Sequence, residues 1–255
     1  MKITPIRTHA ITEKDTDILS LVDLYITDVD ENSILVVTSK IVAICEGRIQ
    51  KINPSTEKED KEKLVKEESE YFIDKSENQY GFYLTITHNL LIPTAGIDES
   101  NGNGYFILWP KDPQATANKI REHVVQKHQI KNFGVIITDS KTTPLRWGTS
   151  GVALSHSGFS ALNNYVGQPD LFGRELRVTK SHVADGFAAG AVSVMGEGQE
   201  STPFAMITDI PNITFQQRNP TKEELEGMHI SLETDVYAPI LKKAPWQKGK
   251  KSGGF

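Results

Sequence analysis

The stretch "GVIITDSKTTPLRWGTSG", residues 134–151, decides how the chain reads. It begins as a β-branched apolar run, Val135-Ile136-Ile137, the composition of a buried strand. At Thr138-Asp139-Ser140 it changes to hydroxyls and an acid, then runs through Pro144, Arg146 and Trp147 to Gly148 and Gly151. A surface turn needs only Gly, Asn, Asp or Pro. An acid and hydroxyls where an apolar strand ends, followed by a cation and an aromatic ring, suit a site as well as a turn. Arg146 and Trp147 read here as a buried pair.

Similar strands lie on either side. "SILVVTS" (33–39), "FYLTIT" (82–87), "YFILW" (105–109), "FGVIIT" (133–138), "ELRVT" (175–179) and "FAMIT" (204–208) are β-branched or aromatic runs. Helices fall between them. "DPQATANKIREHVVQKH" opens on Asp112-Pro113, an N-cap and first-turn pair, with Ile120 and Val124 at helical spacing. "SHVADGFAAGAVSVMG" is small and apolar nearly all round and ends on Gly196, which predicts a buried helix. Thr221 and Glu224 match a capping box. Residues 57–70, "EKEDKEKLVKEESE", alternate acids and lysines at i,i+4 and read as a solvated helix, a soft boundary after the N-terminal segment. No regular βαβ beat emerges. The expectation is an α+β fold with mixed or antiparallel sheets and packed helices, one domain over 1–255, built as two closely packed subdomains.

Composition excludes several classes. The chain has 255 residues, 38% hydrophobic and 24% charged, with net charge -5, which gives no electrostatic reason to bind nucleic acid. The basic C-terminal run "KKAPWQKGKKSGG" reads as a frayed tail. Cys45 is the only cysteine, so no internal disulfide forms; followed by an acid, it reads as a packed residue rather than a nucleophile. No signal-like apolar core opens the chain, and no run nears the roughly 20 apolar residues that span a bilayer. A cytoplasmic protein with no membrane partner is expected.

The usual phosphate loops are absent: there is no G-x-x-x-x-G-K-[ST], and no G-x-G-x-x-G between a strand and a helix. The seven histidines show no zinc spacing. What remains is a series of acids at element ends: Asp98 and Glu99, Asp139, Asp170 and Glu175, and Glu197 and Glu200 around Gln199. Carboxylates and amides are the hard oxygen donors that Mg²⁺ or Mn²⁺ takes, and the neighbouring glycines let backbone approach phosphate closely. Lys40, Arg146 and Arg174 are cations that could meet anionic oxygens. Each has a plainer reading: an Asp after a strand is often a turn former, Arg174-Glu175 can be an ion pair, and His156 in "ALSHSG" is either an acid–base group or a hydrogen-bonded loop residue.

Taken together the words are more specific. "TSKIVAICEGRI", "TAGIDESN", "GVIITDS…PLRWGTSGVAL", "DLFGRELRVT" and "VADGFAAGAVSVMGEG" resemble, in order and spacing, the coenzyme F420-0:γ-glutamyl ligase family from about Pro5 to Ile207. The sequence looks closer still to a subgroup of γ-glutamate ligases connected with folate metabolism. The resemblance implies an α/β-type fold of the family's own and a homodimer. It also implies GTP (or ATP) as co-substrate, Mg²⁺ or Mn²⁺ with K⁺ as helper, and an amide bond made between L-glutamate and a carboxylate acceptor through an acyl phosphate. It implies metal ligation by Asp98, Asp139 and Ser140, completed by Glu197 or Glu200. Ser39 and Lys40 are implied as nucleotide-phosphate contacts, with Ser140 and His156 in the same binding set. Asp139, Arg146 and Arg174 are the implied catalytic and anion-binding residues.

The chain departs from the family pattern at Ile44, where a lysine is usual, at Trp147, and at the "LSHSGF" segment with His156. These point to a changed acceptor pocket, F420-0-like or folate-like. The alternative reading is a catalytically degenerate member that binds a nucleotide or pterin-like ligand without ligating it.

Overall fold

The computed structural model describes residues 1–251. Its main sheet has five strands in the order Lys2–Ile6, Phe204–Thr208, Ser33–Thr38, Phe133–Thr142, Thr149–Ser157. Ser33–Thr38 and Phe133–Thr142 run parallel; the other pairs are antiparallel, so the sheet is mixed. The fold is α+β.

The central strands are apolar at nearly every position because both faces are covered. Leu35, Val37, Val135 and Ile137 point to one side. They pack there on Leu21 and Val22 of the helix Ile18–Tyr25 and on Ile120 and Val124 of the helix Pro113–His128. Ile34, Val36 and Ile136 point to the other side, onto Ala184, Ala188 and Ala191 of the helix Val183–Met195. The alternation is the two-residue period of a pleated strand. Small residues on Val183–Met195 let it lie close to the sheet. A Cβ at Gly151 would stand 2.3 Å from the Ala188 carbonyl oxygen, so that strand position accepts only glycine.

A second layer holds the four-stranded antiparallel sheet Gln247–Lys248, Tyr71–Ile73, Leu84–Thr87, Leu90–Pro93. The helix Glu57–Glu68 covers it, burying Leu64 and Val65 against Phe72, Tyr83 and Phe106. Residues 57–68 of the charged run 57–70 therefore form a helix with one docked edge, packed in this layer.

Other expectations are corrected. Asp139 and Ser140 stand inside a strand, since Phe133–Thr142 continues past them and returns as Thr149–Ser157. The hairpin tip carries Arg146 and Trp147 into solvent, Trp147 being 91% exposed, so the pair is not buried. Ser39, the last residue of the expected strand 33–39, instead opens the helix Ser39–Cys45. "ELRVT" forms no strand; only an isolated Pro169–Glu175 bridge appears there, and Val178 is exposed. The C-terminal run is docked rather than frayed as far as residue 251: Gln247–Lys248 pairs with Tyr71 and Phe72, and Lys250 meets Glu67 at 3.1 Å. Residues 252–254 of that run lie outside the described residues. Among the described residues no helix is long and apolar enough to cross a membrane.

Candidate active site

The parallel strands Ser33–Thr38 and Phe133–Thr142 end side by side, with Thr38 opposite Thr138. Ligands in open sheets gather beyond such carboxyl ends. A cleft of about 680 Å³ lies there, between the sheet, the loop at residues 93–103 and the loop at residues 196–203. That volume suits a small-molecule site.

The register slips between Ile137 and Thr138, next to the cleft. A bulge of this kind re-aims the side chains that follow it. Asp139 and Ser140 come next, and both line the cleft. Asp139 is pushed up to about 6, chiefly by burial, with the Asp98 charge adding to the rise. The Trp109 indole N–H, the Ser140 backbone N–H and the Lys40 charge oppose it. The Trp109 Nε1–H donates to Asp139 Oδ2.

Asp98 lines the same cleft. Its Oδ2 meets Lys40 Nζ at 2.7 Å, and the Ser100 backbone N–H donates to Oδ1 at 2.8 Å. Burial alone would raise Asp98; the Lys40 ammonium and the Ser100 donors outweigh it and hold the carboxyl below its ordinary value. Lys40 also donates to the Ser100 carbonyl at 2.9 Å. One ammonium thus acts on both carboxylates.

The third acid arrives from the loop after Val183–Met195. Ser140 Oγ donates to Glu197 Oε1 at 2.6 Å, and Thr149 Oγ1 donates to the same oxygen at 3.0 Å. Glu200 also lines the cleft, but its Oε2 accepts the Gly198 N–H at 2.8 Å, turning the carboxylate onto its own loop. Asn101 Nδ2 donates to the Gly198 carbonyl at 2.9 Å and ties the two acid-bearing loops together.

The sequence-predicted residues therefore divide. Lys40, Asp98, Asp139, Ser140, Glu197 and Glu200 share one cleft. Ser39 is buried in the first turn of its helix and does not line it; Thr38 and Lys40 on either side do. Arg146 and Arg174 are exposed and lie outside it. His156 is a correction. It is 1% exposed, stacked edge-on against Phe159 within the sheet's packing, and burial holds it down to about 4. It is a neutral core residue, not a cleft ligand. Ser155 and Ser157 on either side of it are satisfied internally, donating to the Pro113 carbonyl and to Asn219 Oδ1.

Sequence reasoning missed other lining residues. Thr8, His9, Ala10 and Ile11 form a wall, held where His9 meets Tyr25 and where its Nε2 meets Asp15 Oδ1 at 2.9 Å. Cys45 is packed, and burial pushes its thiol up to about 12. Ile44 lines the cleft as an uncharged patch.

The donor set fits a hard divalent cation in part. Two carboxylates, a hydroxyl and a third carboxylate edge one cleft, all oxygen. Among the described residues, no three of His, Cys, Asp and Glu stand close enough to ligate a metal by themselves. An ion held here would take part of its coordination from water or from substrate oxygens, as Mg²⁺ usually does.

The sequence profile described as F420-0:gamma-glutamyl ligase matches residues 5–209. The chain belongs to this family. Among its relatives is a protein of Archaeoglobus fulgidus named coenzyme F420:L-glutamate ligase, 30% identical over 255 residues, spanning 95% of this chain and 98% of that protein. A protein of the same name from Methanococcus maripaludis is 35% identical over 193 residues, spanning 71% of this chain and 77% of the relative. Another from Methanothermobacter thermautotrophicus is 35% identical over 196 residues, spanning 72% and 77%. Membership in the F420-0:γ-glutamyl ligase family makes the chain an enzyme, an acid–amino-acid ligase of the γ-glutamyl class. The matched segment contains every residue that lines the cleft.

Proposed function

We propose that the chain joins L-glutamate to a carboxylate acceptor, F420-0-like or folate-like, using GTP or ATP and Mg²⁺ or Mn²⁺, with K⁺ as helper. One observation carries the reading: Asp98 and Asp139 enter one cleft from different lobes and share the charge of Lys40.

Joining a carboxylate to an amine in water requires an activated acyl group. The acceptor carboxylate attacks the γ-phosphorus, the nucleoside diphosphate leaves, and an acyl phosphate forms. The glutamate amine then adds to the acyl carbon, inorganic phosphate leaves and the amine loses a proton. A divalent ion in the cleft would neutralise the phosphate oxygens and align the transfer. Asp98, Asp139, Ser140 and Glu197 are the side chains that would hold it. Lys40 is the cation available to a phosphate oxygen once it exchanges Asp98 for one. The wall at residues 8–11 and the glycines at 196 and 198 offer backbone to the nucleotide.

We also propose a homodimer. Leu145, Trp147, Leu171, Phe172 and Val178 are each at least 86% exposed, on the hairpin tip and on the 165–179 segment. Apolar side chains displayed on projecting arms mark an interface between copies. Arg146 and Arg174 ride on the same arms, so assembly is the route by which they would meet an anion.

A second reading is favoured by Ile44 alone. This apolar lining residue stands where the family usually has a lysine, and it would suit a binder that has lost transfer. Incubation with nucleotide, Mn²⁺, glutamate and a panel of carboxylate cofactors, followed by product mass spectrometry, separates the two. An acceptor heavier by one or more glutamyl residues supports ligation; nucleotide binding without any adduct supports the degenerate reading.

A further inference from the structure

Trp109 is 3% exposed and follows the strand Tyr105–Ile107. Its indole lies directly against Gly96, in the loop that delivers Asp98: a Cβ at Gly96 would stand 2.1 Å from Trp109 Nε1. Gly96 also has φ +70, a left-handed conformation that side chains disfavour. The only polar atom of the ring, Nε1, donates to Asp139 Oδ2. One side chain therefore touches the segments bearing Asp98 and Asp139.

The ring is also fixed from behind. Arg48 Nε donates to the Trp109 carbonyl at 3.1 Å, and Arg48 is itself held by Glu68 at 2.7 Å. The His88 ring packs on the indole with centroids 5.8 Å apart, and Lys251 of the docked C-terminal run donates to His88 Nε2 at 2.9 Å. A buried indole N–H needs an acceptor. A desolvated carboxylate with one oxygen held keeps lone pairs for a cation in a fixed direction.

We propose that Trp109 is a positioning residue of the active site, holding the Asp139 carboxylate in the orientation that receives a divalent cation. This rests on the metal-dependent reading above. Outer partners of metal ligands act by fixing orientation, and losing one typically weakens metal binding about 10- to 100-fold. A merely structural indole would contribute shape and area but no directed N–H.

The test separates these roles. Two variants are compared with the wild type: Trp109→Phe, and replacement of Trp109 by benzothienylalanine, which keeps the ring's shape and substitutes sulfur for N–H. Mn²⁺ affinity of the resting protein is measured by electron paramagnetic resonance, and thermal unfolding reports the fold. The expected result is Mn²⁺ binding weakened about 10-fold or more in both variants, with the melting temperature of the isosteric variant near that of the wild type. An isosteric variant that binds Mn²⁺ as tightly as the wild type overturns the role of Trp109 alone. A wild-type protein that takes up no Mn²⁺ overturns the metal reading and this inference with it.

Discussion

Replacing His156 by leucine should flatten the acid sensitivity of the fold. His156 is fully enclosed, its Nδ1 has no hydrogen-bond partner, and burial holds its folded-state value at about 4, against 6.5 for the free side chain. Between those values the unfolded chain takes a proton that the folded chain refuses. Stability is therefore intact above about pH 6.5 and is lost as the pH falls toward about 4. Each unit of that gap is worth about 1.4 kcal/mol, so at pH 5 the loss from His156 is about 2 kcal/mol. His88, also lowered to about 4 by burial and by the Lys251 ammonium, adds a second loss in the same window. Urea titrations of the wild type and His156→Leu at pH 7 and pH 5 measure the difference directly. The variant should lose about 2 kcal/mol less than the wild type between the two conditions. Glutamate-dependent turnover per folded molecule should be unchanged, because the residue lies outside the cleft. Equal losses in both proteins would refute the neutral, buried assignment.

Gly96→Ala should destabilise by about 3 kcal/mol, since the new methyl meets the Trp109 indole on a backbone that resists a side chain; an unchanged melting temperature would contradict that packing. Phe172→Asp together with Leu171→Asp should shift the protein to monomer in sedimentation analysis, and a dimer of unchanged affinity would remove those arms from the interface. Lys40→Met should weaken nucleotide binding at least about 10-fold and leave Asp98 without its cation, with the affinity read by calorimetry; unaltered affinity would take Lys40 out of the phosphate site.

Much of the fold was legible because the local signals agreed with it. The runs at 33–38, 133–138 and 204–208 are β-branched and sit where a doubly covered sheet needs them. The caps at Asp112 and Thr221 are made as their spacing predicts, with the Ala115 and Glu224 backbone N–H groups donating to them. The misreadings arose where tertiary contacts overrode local preference. "LSHSG" looks like a polar loop, yet its hydroxyls bond internally and its histidine is enclosed.

The site divides along the same line. Acids beside glycines singled out Asp98, Asp139 and Glu197, and the structure brings all three to one cleft. Trp109 carried no such signal. It lies 30 positions from Asp139 and reads as the last residue of an apolar run; only the packing of two lobes brings its N–H to the carboxylate. The same holds for His9, which meets Tyr25 across 16 positions.

Ligation through an acyl phosphate moves an oxygen atom, and following that atom tests the central claim most directly. An acceptor whose carboxylate carries heavy oxygen is incubated with enzyme, nucleotide, Mn²⁺ and glutamate, and the released inorganic phosphate is analysed by mass spectrometry. The account predicts one labelled oxygen in the phosphate, formed only when glutamyl product forms, and lost in Asp139→Asn while the fold is retained. Unlabelled phosphate accompanying product, or full labelling by Asp139→Asn, would contradict it.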